Sequence, residues 1–347
     1  MATLQAESIA DLVALTLKDL GKMKWTEIAT DIQEHVAMKR LIRKEKVGFS
    51  SGQQLQWNLQ VDHNNQARNV GLYEVDSVNV SDQAVQPTLA WRHTTTNYAY
   101  DEREIAMNAE PARIVDLLKF RRSGAMISLA ERMETNFWSL PDDANDNLKP
   151  HGVPYWINYN ATDGFTGGAQ FGSTVAGINP STYTRWKNYW ATYTNVTKDD
   201  LMTKWRKASR QTNFVSPDEH PDYNTGNRYG YYTTDTVIGK LEELLEAQND
   251  NLGNDLASKD GHTLFKKNPV TWAPKLDTAA ASSSDPIYGI NWGVFRPIFL
   301  KGEYLKEIGP KYSPKQHRLQ EVHVDCTLNF ICYDRRRLFG LVVSDPF

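Results

Sequence analysis

Cysteine is nearly absent: the 347 residues hold only Cys326 and Cys332, too few for a disulfide framework or a cysteine-rich zinc site. A reducing compartment is the expectation. No run of ~18 apolar residues occurs, and Met1-Ala2-Thr3-Leu4 opens without the basic segment and apolar core of a secretion signal. These absences predict a soluble cytoplasmic product with no membrane anchor. The net charge of -3 lacks the cationic excess of a global nucleic-acid binder, although a local basic face stays open.

Catalytic and ligand signatures are missing too. Gly164, Gly167, Gly168, Gly172 and Gly177 form a glycine-rich stretch, but no Gly-Lys-Ser or Gly-Lys-Thr follows to hold phosphate. No nucleophile elbow is present. His317 and His323 open the terminal strands, while His151, His220 and His262 are scattered, and zinc spacing is not met. The acids from Asp142 to Asp146 lack the order of a calcium loop. Asn79, Asn160 and Asn195 match the glycan acceptor pattern, which without a secretion signal reads as coincidence. The chain is therefore expected to need no metal, nucleotide or other cofactor and to catalyse nothing.

What is abundant is ring area: ten Trp, sixteen Tyr and twelve Phe in an otherwise polar chain. Aromatic side chains bury large areas with few rotatable bonds, which suits subunit interfaces as well as interiors. Composition alone equally allows an aromatic-rich glycan-binding or hydrolytic protein.

Periodicity divides the chain. Glu7 to Leu20 carries Ile9, Leu12, Val13 and Leu17 at helical spacing, and Thr26 to Leu41 carries Ile28, Ile32, Val36 and Leu41. The far end of this arm is cationic, with Lys39, Arg40, Arg43, Lys44 and Lys46. From Val47 the period becomes two, through Leu55, Trp57, Leu59 and Val61 to a polar tip at Asp62-His63-Asn64. A return strand is predicted through Tyr73, Val75, Val78 and Val80, and a third extended run from Trp91 to Tyr100. Such a ribbon has little core of its own, and an uncovered ribbon invites pairing with another chain.

A long helix is predicted from Asn108-Ala-Glu-Pro111 to Trp138, about 45 Å at 1.5 Å per residue, with Ile114, Leu117, Leu118, Ala125, Leu129, Met133 and Phe137 as its apolar stripe. Pro141 ends it. A mixed lobe follows, containing a helix after Thr197-Lys-Asp-Asp200 and another over Asp235 to Asn249. Lys204, Arg206, Lys207 and Arg210 are read as the solvated face of the first. Val322, Val324, Cys326, Leu328 and Phe330, the turn Tyr333 to Arg337, and Leu338 to Val343 are read as a terminal hairpin against the long helix.

This order of arm, polar ribbon, long helix, mixed lobe and terminal strands resembles the major capsid proteins of tailed bacteriophages, the Hong Kong 97 type. Gly177-Ile-Asn-Pro-Ser-Thr-Tyr-Thr-Arg-Trp186, Asn268-Pro-Val-Thr-Trp272 and Ile287-Tyr-Gly-Ile-Asn-Trp292 are similar to phrases of that family. The resemblance implies an α+β fold with an N-terminal arm over 1-46, an extended β-hairpin loop over 47-104, a peripheral domain with the spine helix over 105-150 and 317-347, and an axial domain over 151-316. It implies a virion shell subunit assembled in the host cytoplasm as hexamers and pentamers of one chain around double-stranded DNA. Portal and scaffolding proteins, and a cement or decoration protein, are the implied further partners. An encapsulin-type compartment shell shares these features.

Under that resemblance Lys39, Arg40, Arg43, Lys44 and Lys46 are candidates to face DNA or a neighbouring subunit. Trp57, Tyr73, Trp91, Arg335, Arg336 and Arg337 are candidate intersubunit contacts, the arginines because a guanidinium fork suits a carboxylate across an interface. No lysine lies between Lys46 and Lys119, so the ribbon cannot donate the isopeptide bond of the family prototype. A start directly in the arm implies a separate scaffolding protein, with Met1 or Ala2 as the mature start.

Overall fold

The computed structural model describes residues 36-40, 47-49, 52-64, 66-75, 83-107, 111-143, 146-212, 229-249, 263-266, 268-278 and 284-344. The predicted helix over Glu7 to Leu20, and Arg43, Lys44 and Lys46, lie outside them.

In chain order, α1 (Val36–Arg40) and β1 (Val47–Phe49) lead into four short strands, β2 (Gln54–Gln56), β3 (Leu59–Gln60), β4 (Ala84–Val85) and β5 (Thr88–Ala90). Then come β6 (Arg92–Asp101), α2 (Glu102–Met107), α3 (Pro111–Trp138), α4 (Val153–Trp156), β7 (Gly164–Gly167), β8 (Asn188–Thr192) and α5 (Leu201–Thr212). The remainder is β9 (Tyr229–Thr233), α6 (Asp235–Asn249), β10 (Leu264–Phe265), β11 (Asn268–Trp272), α7 (Pro274–Thr278), β12 (Ile287–Asn291), β13 (Phe295–Leu300), β14 (Lys306–Ser313), β15 (Gln316–Cys332) and β16 (Phe339–Val342).

Helix α3 is the longest of the described helices. Pro111 supplies a preset φ at its first position, and its 28 residues span about 42 Å. Ala125, Leu129, Met133 and Phe137, spaced by four, are all buried. Phe137 ends this stripe among rings, with Phe330 at 5.2 Å, Phe295 at 5.8 Å and Trp292 stacked at 6.1 Å. On the same helix Glu134, buried among apolar groups, accepts from Ala37 N at 3.0 Å, Met38 N at 2.7 Å and Trp138 Nε1 at 2.8 Å. Those bonds fasten α1 to α3, and burial raises the carboxyl pKa above its ordinary value.

Two main sheets share this core. In the first, β15 is flanked by β6 on one side and by β13 and then β14 on the other: Leu328 pairs with Arg92 and Phe299, and Gln320 with Tyr100 and Tyr312. Strand β1 adds in parallel to β13. The second sheet has the order β10-β11-β9-β12-β16-β8-β7. Helices α5 and α6 place Leu201, Trp205 and Ala208, and Val237 and Leu241, in one apolar cluster with Tyr189, Tyr231, Phe339 and Leu341 of this sheet.

Pairing corrects several sequence expectations. The terminal strands are not a hairpin: β15 belongs to the first sheet and β16 pairs with β12 and β8 in the second. The extended run from Trp91 to Tyr100 is a strand, but it leaves the ribbon to pair with β15 over ten residues. Strands β13 and β14 pair with β15 rather than with the middle lobe, and β16 pairs within that lobe, so the peripheral and axial boundaries predicted at 316 and 317 do not coincide with the sheets. Alternation identifies a strand but carries no information about which edge it joins.

Candidate assembly surface

The ribbon between β1 and β6 is a hairpin laddered in two short pieces. Leu55 pairs with Leu89 and Leu59 with Val85, and Val61 N donates to Gln83 O at 3.0 Å. Its base is held by the chain itself. Leu55 and Leu89 are buried, Thr88 N donates to Ala176 O at 3.0 Å, and Asn329 Nδ2 donates to Ala90 O at 2.8 Å. Trp57 is half-buried with its ring 6.4 Å from Trp156 and 6.3 Å from Tyr333, and half-buried Trp91 donates from Nε1 to Gly52 O at 2.8 Å.

From Asp62 to Val75 the described residues are exposed, Gln66 alone being half-buried. The predicted return strand is absent from residues 66-75, where Glu74 N donates to Gly71 O in a turn and Tyr73 takes φ 69°. Val78 and Val80 lie outside the described residues. The turn presents apolar groups to solvent, with Leu72 92%, Tyr73 100% and Val75 86% exposed.

The three terminal arginines occupy different environments. Arg335 is wholly buried and donates to Trp156 O, Trp186 O, Gly168 O and Asn188 Oδ1, each at 2.9 Å. That contradicts its assignment as an intersubunit contact, because its donors are spent inside the chain. Burial lowers its pKa to about 10, so it stays charged at neutral pH and is solvated by carbonyl dipoles. Arg337 is buried and pairs with Asp334 at 3.1 Å, correcting the same expectation. Arg336 is half-buried with its guanidinium 4.3 Å from the centre of the Phe165 ring. The glycine-rich stretch serves this knot: Gly168 O accepts from both Arg335 and Asn158, and Asn188 Nδ2 donates to Asn158 O. The polar partners Asn158 and Asn188 carry no sequence signal that sets them apart from surface asparagines.

Lys39 and Arg40 close α1, which Glu134 fastens to α3. None of the described tryptophans is exposed, so the ring abundance that suggested interfaces or sugar binding goes mainly into the two cores. Lys204 pairs with Asp200 at 2.9 Å, whereas Arg206, Lys207 and Arg210 are exposed. Among the described residues no cluster of His, Cys, Asp and Glu could hold a metal ion, and no helix is long and apolar enough to cross a membrane. A surface depression lined by Asn195, Val196, Thr197, Lys240, Glu243 and Leu244 is open to solvent.

No protein-family model matches the chain, and no match is found among curated proteins. Solved structures match over nearly its whole length. The cyanophage A-1(L) capsid subunit superimposes with a TM-score of 0.64 at 14% identity, covering 95% of this chain and 99% of that one. The capsid of the empty GTA particle gives a TM-score of 0.58 at 10% identity, covering 99% of both chains. The holo-SrpI encapsulin complex from Synechococcus elongatus gives 0.52 at 10% identity, covering 99% of this chain and 96% of that one. The mixed helix-and-sheet fold is thus that of tailed-phage capsid proteins, which the encapsulin shares.

Proposed function

We propose that this chain is a major capsid protein that self-assembles into the icosahedral head shell enclosing the double-stranded DNA of a tailed phage. The carrying observation is the uncovered hairpin end, where Leu72, Tyr73 and Val75 stand in solvent on a ribbon whose base is well fixed. A rigid root with an apolar free end is what a subunit needs to lay a strap over its neighbour, and repeated moderate contacts around a closed lattice make a strong container. In this reading the chain is a building block and not a catalyst. The hairpin is the extended loop and α3 the spine of a Hong Kong 97 type subunit, with Lys39, Arg40, Arg43, Lys44 and Lys46 facing packaged DNA or a neighbour. A portal, a scaffolding protein and a decoration protein complete the particle.

The test is electron microscopy of the purified chain, expressed with and without a scaffolding partner. Closed shells of uniform diameter are expected, and a chain that stays monomeric under all these conditions overturns the proposal. The encapsulin likeness supports a second reading, a shell around protein cargo. Shells that carry a co-purified enzyme, from a locus without portal and terminase genes, would favour that one.

A further inference from the structure

Helix α5 carries Lys204, Arg206, Lys207 and Arg210 and no acidic residue. Its inner face, Leu201, Trp205 and Ala208, is buried, so Arg206, Lys207 and Arg210 project outward. The turn between β10 and β11 adds Lys266 to them, because the adjoining Phe265 stacks on Trp205 of α5 with ring centroids 4.3 Å apart. Its ammonium is held below its ordinary pKa first by burial and then by the like charges of Arg210 and Arg206. Among the described residues none of these four cations makes an ion pair. Lys266 also takes φ 47°, a left-handed backbone that costs a side-chain-bearing residue about 1 kcal/mol or more. A strained turn that adds a cation to a cluster with no ion pair among the described residues suits a partner that supplies negative charge.

The complementary charge lies in the same lobe. Helix α6 shares the apolar cluster that holds α5, and carries Glu242 and Glu243 on its outer side with no ion pair to the α5 cations among the described residues. A surface and its complement on one chain that do not meet within it can meet between identical copies, each giving its cations to the next copy's acids. This head-to-tail contact closes rings when the rotation allows. Leu264, 60% exposed beside Lys266, supplies an apolar centre, which suits a protein surface better than a phosphate backbone.

We propose that the basic end of α5, with Lys266 and Leu264, is a docking surface for the Glu242 and Glu243 turn of α6 in a second copy of this chain. The inference rests on the shell-subunit reading only in that it requires copies to associate. It is tested by sedimentation velocity of the full chain, with each variant's fold checked by circular dichroism. R206E/R210E is expected to weaken association at least tenfold, E242K/E243K likewise, and the variant with all four reversals is expected to recover it, since the charges then match again in exchanged positions. Should R206E/R210E misfold, R206Q/R210Q is read in its place, with association expected to fall and to lose part of its salt sensitivity. Unchanged association in the charge-altered α5 variant overturns the inference alone, as does failure of the fourfold reversal to recover. Loss of double-stranded DNA retention with association intact also overturns it and assigns the patch to nucleic acid. A wild-type chain that never associates overturns both this inference and the shell reading.

Discussion

Asn329 directs its amide nitrogen to Nδ1 of His151 at 3.0 Å, and with the same group holds Ala90 O at the root of the hairpin. Its Oδ1 accepts from His151 N at 3.0 Å and Phe330 N at 2.8 Å, which fixes the orientation of the amide. Nδ1 also lies 3.3 Å from that Oδ1, so the amide meets the ring with both of its groups, and the buried ring is neutral at pH 7. Burial, with Arg92 adding to it, lowers the His151 pKa from 6.5 to about 4. Between those values the unfolded chain binds a proton that the fold refuses. The stabilising contribution is therefore complete above pH 6.5 and is lost as pH falls toward 4, up to about 3 kcal/mol. Buried Glu134 works in the opposite sense, because its raised pKa favours the protonated form in the fold. Urea unfolding at pH 7 and pH 4.5 is expected to show wild type losing about 2–3 kcal/mol more than His151→Gln. Equal losses would contradict the assignment.

Arg335 provides a second prediction. Removing its guanidinium leaves Trp156 O, Trp186 O, Gly168 O and Asn188 Oδ1 short of donors in a buried site, and each orphaned acceptor costs about 1–3 kcal/mol. Arg335→Ala is expected to destabilise the isolated chain by at least about 3 kcal/mol, and Arg335→Lys by a similar order because one ammonium cannot span four acceptors. Arg336→Ala, at a half-buried ring contact, is expected to cost under about 1 kcal/mol. Chemical denaturation of the three variants separates an internal knot from an interface residue, which would leave the isolated chain's stability unchanged.

The contrast between these arginines shows what the sequence could carry. Elements were legible where a period ran long enough: α3 begins at Pro111 and ends at Trp138, and α6 spans Asp235 to Asn249, as predicted. The capsid fold was legible from the order of elements. Partnerships were not, because Arg335, Arg336 and Arg337 are identical in type, and only the crossing of the chain between two sheets sends the first and third inward. The hairpin's return leg was misplaced for a related reason. Tyr73 and Val75 alternate like a strand, but the turn from Gly71 to Glu74 intervenes, and among the described residues pairing is next seen at Gln83, whose carbonyl accepts from Val61 N. Lys266 joins Arg206 and Arg210 across a separation in sequence that no local pattern spans.

Gly340 marks the tightest packing of the second sheet. A Cβ there would lie 2.1 Å from Cζ3 of Trp190, a fully buried side chain on the neighbouring strand β8. Trp190 cannot retreat, since Tyr159 packs edge-on against it at 5.5 Å and Gly164 pairs with it on β7. Gly340→Ala is expected to cost about 1–3 kcal/mol through overpacking. A thermal melt that matches wild type would mean that the sheet opens there more readily than its register implies.

The hairpin end separates folding from assembly. Leu72 and Tyr73 are 92% and 100% exposed, so Leu72→Ser with Tyr73→Ser removes no core contact and is expected to change the isolated chain's stability by no more than about 0.5 kcal/mol. If a neighbouring copy covers these side chains, the same change deletes apolar area from every repeated contact in the shell. A penalty of even about 1 kcal/mol per contact, multiplied around a closed lattice, is enough to abolish it. The expected outcome is a soluble, normally melting chain that forms few or no particles by negative-stain microscopy. Full particle yield from the serine variant would mean that the exposed apolar end takes no part in holding copies together, and the shell would have to be explained by other surfaces, the α5 and α6 contact first among them.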